Sequence, residues 1–301
     1  MSPGSYGTER AMVPPVQPRS YYGLPIVKRP AWTIEVPWYF FVGGATGALA
    51  ATAMAARRSG QGRLARRARR MALLGSLVSP ILLISDLGRP ERFLNMLRVF
   101  RPTSPMSVGS WTLVGLGSAL GAGEMAEQMG LPGFAVTGAD TAAGVLGPIL
   151  STYTAVLIGN TANPIWRGAR HLLPFVFAGS SLASAGAAVC VTSPVGDAQA
   201  GRRMVGWGTV LEQGAGLAME RKLGDLARPY REGRAGTLNR WQRFSSLAGS
   251  ALVVTWGRRS RRAAVIGSAL TLAGSAALRQ SIYQAGFQSA EDPRYLVESQ
   301  S

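Results

Sequence analysis

The sequence has very few residues that bind metals through sulfur or imidazole. Cys190 is the only cysteine and His171 the only histidine among 301 residues. The chain therefore has no internal disulfide, supplies no four-cysteine iron–sulfur site and holds no haem between two of its own histidines. A zinc site of His and Cys ligands is not expected either. If this protein transfers electrons, we expect the metal centres to belong to a partner subunit.

Charged residues are also scarce, and the acidic ones are the scarcest. They make up 16% of the chain against 47% hydrophobic residues, and 32 Lys and Arg outnumber 15 Asp and Glu. The arginines lie in short loops between apolar segments rather than on one basic face, so we expect membrane lipid as a partner and no nucleic acid. The alternative is a soluble helical protein rich in Ala and Gly. Several nearly charge-free windows of membrane-spanning length favour the membrane.

The first residues lack the apolar core of a secretory signal peptide and carry six prolines among the first 30. We interpret residues 1–33 as an extended, proline-rich arm, residues 34–283 as a membrane domain and residues 284–301 as a polar tail. Apolar content predicts an all-α integral membrane protein with about eight transmembrane helices. The predicted spans are residues 34–56, 71–87, 106–125, 138–159, 172–192, 204–220, 238–257 and 262–283.

A short interfacial helix is predicted after the second span. Pro90 suits the first turn of a helix, and apolar residues then recur at helical spacing at Phe93, Met96, Leu97 and Phe100. The other face keeps polar side chains in water. Arg89, Arg92 and Arg98 would then face a docked soluble subunit.

Alternating spans bring five helix ends to one membrane face. Polar and aromatic residues gather there: Glu35, Trp38, Tyr39, Asp86, Arg89, Ser107, Ser110, Trp111, Tyr153, Asn160, Thr161, Trp166 and His171. An apolar pocket with a few polar groups suits the head of a quinone, whose two carbonyl oxygens accept hydrogen bonds and, on reduction, protons. We assign catalytic roles to Tyr153 and Asp86 and quinone contacts to Glu35, Trp38, Tyr39, Ser110, Trp111, Tyr153 and His171.

Each of these residues has a simpler interpretation when taken alone. The tryptophans fit an interfacial aromatic belt, Asp86 with Arg89 fits a structural ion pair, and Tyr153 fits a hydrogen bond to a neighbouring carbonyl. Ionisable residues at membrane depth suggest a proton path instead of a binding site. Its candidates are Glu124, Asp140, Glu212 and Arg279.

The basic loops predict an orientation. Residues 57–70 and 257–262 are the densest basic segments, and an even number of spans places them on one side. The positive-inside rule makes that side cytoplasmic, which puts both termini outside the cytoplasm of a multi-pass protein of the plasma membrane.

Four segments resemble the NrfD/polysulfide-reductase membrane-subunit family. They are PWYFFVGGATGALA (37–50), SDLGRPERFLNMLRVFRPTSPMSVGSW (85–111), STYTAVLIGNTANPIW (151–166) and LLPFVFAGSSLAS (172–184). The match is looser after residue 200. Family members that carry a histidine in the first span are not matched here.

This resemblance implies a respiratory anchor subunit that holds no metal and is not catalytic alone. It exchanges electrons between the quinone or menaquinone pool and a four-cluster, ferredoxin-like iron–sulfur subunit, often joined by a molybdopterin catalytic subunit. It implies quinone contacts at Tyr153 and the Trp38/Tyr39 region, and a loop pair of Asp86 and Arg89 near the partner. Two other functions stay open: a transporter or channel with its substrate near Glu212 and Arg279, and a purely structural anchor.

Overall fold

The computed structural model describes residues 32–86 and 91–291, and within these ranges the chain forms helices and no strand. In chain order the α-helices are α1 (Glu35–Arg58), α2 (Gly62–Asp86), α3 (Glu91–Met96), α4 (Pro105–Gln128), α5 (Gly133–Gly159), α6 (Pro164–Ala169), α7 (Leu173–Thr192), α8 (Gln199–Leu223), α9 (Gly233–Thr255) and α10 (Arg261–Glu291). Two 3-10 helices, Gly224–Tyr230 and Trp256–Arg258, flank α9.

Eight of these helices are long, and each one overlaps one predicted span. Four of them, α1, α2, α5 and α7, are long and apolar enough to cross a membrane. The remaining four, α4, α8, α9 and α10, have 24, 25, 23 and 31 residues, and they are not among the helices apolar enough to cross. An all-helical membrane protein is therefore supported, and the count of eight crossings stays a prediction.

Two helices extend beyond the predicted spans. α2 begins at Gly62, nine residues before the predicted start at 71, and the basic segment buries Leu64, Ala65 and Ala68 on one helical face. α10 continues to Glu291, eight residues past the predicted end at 283. Residues 284–291 are thus not part of a polar tail, because their small and apolar residues pack inside the bundle. The arm up to residue 31 and the tail from residue 292 lie outside the described residues.

Consecutive long helices run in opposite directions, so the bundle has two chemically distinct ends. At one end the backbone N–H of Thr33, just before α1, donates to the Asp86 carboxylate at the end of α2 over 2.8 Å. At the other end Arg57 of α1 donates to Asp140 near the start of α5, also over 2.8 Å. We call the first the tyrosine end, after Tyr39 and Tyr153, and the second the arginine end.

Close packing of α1 and α5 positions the residues of the tyrosine end. A side-chain carbon at Gly47 of α1 would collide with the backbone oxygen of Gly147 in α5, so the two backbones touch there. The Ser151 hydroxyl adds a hydrogen bond of 3.0 Å to the carbonyl oxygen of Gly44. Small residues let membrane helices approach in this way, and the contact fixes the relative height of the two helices.

The short helix after the second long one is present as α3, but it ends at Met96, earlier than the apolar pattern predicted. Residues 97–100 form a turn instead, and Phe100 packs edge-on against Trp111 with ring centroids 6.2 Å apart. A second short helix, α6, was not predicted. Its Trp166 is fully buried, stacks on Trp32 and donates its indole N–H to the Ile282 carbonyl over 2.8 Å, so Trp166 is a core residue and not part of an aromatic belt.

Candidate functional site

Two tyrosines from different helices meet inside the tyrosine end. Tyr39 of α1 and Tyr153 of α5 share a hydrogen bond between their hydroxyl groups, and either oxygen has the geometry to donate. Their rings meet edge to face at 6.4 Å between centroids, and the residues are 2% and 7% exposed. A pair of phenols held in a dry environment can donate one proton outward while the other stays within the pair.

A small cavity lies beside the tyrosine pair. Its volume is about 40 Å³, which is enough for ordered water but not for a large ligand. The lining combines apolar side chains with a few polar ones: Trp32, Val36, Tyr39, Phe40, Leu83, Asp86, Met96, Met106, Ser110, Tyr153 and Leu157. Four of the residues assigned to quinone chemistry from the sequence therefore line one cavity, namely Tyr39, Asp86, Ser110 and Tyr153.

Asp86 connects the helix ends around this cavity. One of its carboxylate oxygens accepts hydrogen bonds from the backbone N–H and the hydroxyl of Thr33, each at 2.8 Å. The carboxylate thereby ties the chain before α1 to the last residue of α2. Arg89, its expected ion-pair partner, lies outside the described residues, so the pair with Arg89 stays a prediction.

The wall formed by α3 is the most loosely packed part of the site, and the first turn of α4 adjoins it. The Ser110 hydroxyl contacts the Met106 carbonyl oxygen at 3.0 Å and the Met96 sulfur at 3.6 Å. α3 is six residues long and packs only loosely against the long helices. Because methionine side chains are unbranched and flexible, Met96 and Met106 form a wall that can move.

Other predicted contact residues lie at the same end without lining the cavity. Trp38 and Trp111 point outward and are 44% and 40% exposed. His171 is exposed in the turn before α7, where its Nε2 accepts a hydrogen bond of 3.0 Å from Arg170. Glu35 is half-buried at the start of α1. The convergence predicted from alternating spans therefore places these residues at the tyrosine end but does not bring them into the cavity.

The remaining partner-facing residues are described only in part. Arg98 is exposed in the turn after α3, and the side chain of Arg92 lies outside the described residues. Gly109 of α4 is a site residue that sequence reasoning missed. A side-chain carbon there would collide with the Tyr153 ring, so this glycine gives the ring its position. The sequence marks Gly109 only by its place, one turn after Pro105 at the start of α4.

The proposed proton-path residues Glu124 and Asp140 belong to an ion-pair network at the arginine end. Arg69, fully buried, donates to Glu124 at 3.0 Å and to Asp140 at 3.2 Å. The other members of the network are Arg57, Arg66, Arg70 and Glu127. These two carboxylates are thus joined to each other through arginine, and they lie at the opposite end of the helices from Tyr39 and Tyr153.

Glu212 and Arg279 lie deep between α7, α8, α9 and α10. Glu212 accepts a hydrogen bond of 2.7 Å from the Gln242 amide. Arg279 donates to the Phe177 carbonyl at 3.0 Å and lies 3.6 Å above the Phe177 ring. In the part of the chain described, no ion pair joins the two, and the Nε and Nη1 atoms of Arg279 have no hydrogen-bond partner.

No group of three or more His, Cys, Asp or Glu residues within 32–86 and 91–291 is arranged to hold a metal ion.

The family model for polysulfide reductase of the NrfD type matches residues 19–292. No curated protein matches the chain.

Proposed function

This chain belongs to the NrfD polysulfide reductase family, and we propose that it is the quinone-reactive membrane subunit of an oxidoreductase complex. Its family, together with four helices that are long and apolar enough to cross a membrane, supports a membrane subunit of such a complex. The proposal adds that a quinone head binds at the tyrosine end.

The observation that carries the proposal is the hydrogen-bonded pair of Tyr39 and Tyr153 beside a cavity with apolar walls. A quinone head has apolar faces and two carbonyl oxygens that must be hydrogen-bonded when they leave water. Tyr153 would donate to one of these oxygens, and Tyr39 would hold the Tyr153 hydroxyl in place. Asp86, at the mouth where α2 ends, would accept or release the proton that accompanies reduction or oxidation.

The cavity of about 40 Å³ is smaller than a quinone head, because typical ligand pockets hold roughly 300 Å³ or more. Entry therefore requires movement of the wall made by Met96 and Met106. The loose packing of α3 supports such a movement, since it is the lining element with the fewest neighbours to displace. The chemistry of the lining fits the substrate, and its closed form fits a site that excludes water between turnovers.

The expected partner is a four-cluster, ferredoxin-like iron–sulfur subunit, joined in some complexes by a molybdopterin catalytic subunit. We place its docking surface at the tyrosine end, because an electron must pass between quinone and the nearest cluster. The exposed Arg98, in the turn after α3, supports this placement. Under the positive-inside rule this end faces away from the cytoplasm.

A proton route is the second part of the proposal. Buried polar groups in a membrane bundle suggest transfer through hydroxyls and water. The Ser275 hydroxyl lies 3.5 Å from the Glu212 carboxylate and 3.5 Å from the Ser180 carbonyl oxygen. Ser275 lies one helical turn before Arg279 on α10. Arg279, with two unpartnered nitrogen atoms, supports a hydrated route here more than one through the ion-paired Glu124 and Asp140. If the chain were a transporter instead, its substrate would bind at Glu212 and Arg279.

The Tyr153→Phe variant of the intact complex tests the quinone site. This substitution keeps the aromatic ring but removes the Tyr153 hydroxyl, which would donate a hydrogen bond to the substrate. We therefore expect kcat/KM for a soluble quinol analogue to fall about 10²-fold. Activity with an artificial electron acceptor that bypasses the membrane subunit should not change. Unchanged quinol kinetics would reject the site.

Tyr230→Phe is the matched control. Tyr230 lies in the 3-10 helix Gly224–Tyr230, it is buried, and its hydroxyl has no partner among the described residues. Burial raises the pKa of Tyr230 above its ordinary value, so this phenol is also neutral. The control should retain wild-type quinol kinetics, and equal losses in both variants would indicate a general packing defect.

A further inference from the structure

A second and larger cavity lies between α8 and α9, far from the tyrosine pair. Its volume is about 850 Å³, which is within the range of ligand-binding pockets. It exists because α8 packs closely on α7 and α9 packs closely on α10, whereas α8 and α9 contact each other less. The two helix pairs thus leave a groove along the outer surface of the bundle, which we call the α8–α9 groove.

Three arginines stand at one end of the groove. They are Arg202 and Arg203 near the start of α8 and Arg258 after the end of α9, all at the arginine end of the bundle. Within the described ranges no carboxylate forms an ion pair with any of them. The nearby Asp197 pairs with Arg67 at 3.5 Å and Arg63 at 3.9 Å instead. The mouth of the groove therefore carries uncompensated positive charge.

Farther from this mouth the groove is mainly apolar. Trp207, Val210 and Leu247 line it and are largely exposed, as is expected for side chains that meet an acyl chain and not another helix. Trp207 lies about 6 Å beyond Arg203 along α8, at 1.5 Å per residue. Tryptophan side chains next to basic residues are common at the boundary between lipid headgroups and hydrocarbon.

Polar side chains interrupt the apolar wall at Thr209, Gln213 and Ser250. Thr209 lines the groove, is 3% exposed, and its hydroxyl has no hydrogen-bond partner among the described residues. It lies about 9 Å beyond Arg203 along the helix. The headgroup region of one leaflet is about 5 to 7 Å thick, so with Arg203 at the phosphates Thr209 would lie just below that region, where the acyl chains begin.

We propose that the α8–α9 groove binds an anionic phospholipid, with its phosphate on Arg203 and Arg258 and an acyl chain along Trp207 and Leu247. The charge at the mouth selects the anionic headgroup, and the groove selects a molecule with a long chain. A bound lipid would fill the gap between the two helix pairs and hold them together. This site is independent of the quinone proposal, because it shares no residue with the tyrosine end and requires only that α8 and α9 lie in the membrane.

Native mass spectrometry of the full chain, titrated with phosphatidylglycerol or with phosphatidylcholine of the same acyl chains, tests the proposal. One phosphatidylglycerol should bind at least tenfold more tightly than phosphatidylcholine. The double variant Arg203→Gln with Arg258→Gln should weaken phosphatidylglycerol binding about 25-fold, since each arginine near an anionic lipid contributes about fivefold in affinity. Ala251→Trp, which fills the exposed middle of the groove, should lower the binding of both lipids.

The double variant Arg259→Gln with Arg262→Gln is the matched control. Both residues are exposed at the same end, and neither lines the groove. This variant removes the same charge and should bind phosphatidylglycerol like the wild type. An equal loss in both double variants would overturn the site in favour of general charge attraction. Equal affinity for the two lipids would overturn it as well.

Discussion

The two ends of helices α1, α2, α4 and α5 both bury polar side chains, but they do so in opposite chemical forms. The tyrosine end buries neutral hydroxyls beside a cavity, whereas the arginine end buries charges that are paired with one another. At the arginine end Arg69 satisfies Asp140 and Glu124 together, and Arg57, Arg66 and Arg70 cover the remaining carboxylate oxygens. A neutral pair can exchange one partner for a ligand, whereas a buried ion pair cannot lose one without a large cost.

This difference indicates which polar cluster is a binding site. Titratable residues inside a membrane protein are by default functional candidates, which makes Glu124 and Asp140 candidates for a proton path. Their contacts separate them. The arginine end holds the helices in register, and the tyrosine end keeps a group available for a substrate.

The largest expected effect is at the arginine end. Arg69→Leu leaves Asp140 and Glu124 buried without their main partner, and breaking a buried pair in this way costs about 3 to 5 kcal/mol. We expect little folded protein in the membrane and a marked fall in thermal stability after purification.

Arg70→Gln is its control, because the Arg70 side chain also contacts Glu124 but is 61% exposed. Its effect should be below about 1 kcal/mol, as for surface ion pairs. A folded and stable Arg69→Leu protein would contradict a structural role for the network.

The second-largest effect is expected at Gly109, which lies against Tyr153 at the tyrosine end. Gly109→Ala places a methyl group where the Tyr153 ring lies, so the ring must turn and its bond to Tyr39 must lengthen or break. We expect about a tenfold loss in quinol kcat/KM, which corresponds to about 1.4 kcal/mol of substrate interaction, with near-normal assembly of the complex.

Gly121→Ala is the corresponding control, since it lies in the same helix and nothing is within 4 Å of the added carbon. It should leave quinol kinetics unchanged. If both variants behave like the wild type, the position of the Tyr153 ring does not matter for the reaction.

The smallest effect is expected at His171, the only histidine. Because it is exposed and outside the cavity, His171→Ala should change quinol kcat/KM less than about twofold, as surface changes away from special contacts usually have small effects. A large loss would return His171 to the proton chemistry and enlarge the site beyond the tyrosine cavity.

The sequence was sufficient to bring Tyr39, Asp86, Ser110 and Tyr153 together, because alternating spans place successive helix ends on the same side. It could not separate Tyr39 from Trp38. Neighbours on a helix point about 100° apart, and α1 is apolar on nearly all sides, so the pattern does not reveal which residue faces inward.

The arginine end was missed for a different reason. Arg57, Arg66 and Arg69 resemble ordinary topology signals, and only packing reveals that Glu124, Glu127 and Asp140 lie beside them. The last turns of α10 were missed because Gly286 and Ser289 score as weakly apolar, although these small residues are buried against Asn163 and Trp166. Pairing across helices is a property of the fold that no single segment carries.

Photolabelling of the intact complex with a quinone that carries a photoreactive group on its head ring tests the central claim most directly. Mass spectrometry of the digested subunit should find adducts on the cavity walls, above all at Met96 and Met106 and on the peptides containing Tyr39 and Tyr153, and excess unlabelled quinone should abolish them. Adducts confined to the α8–α9 groove, or adducts that excess quinone does not reduce, would contradict a quinone site at the tyrosine end.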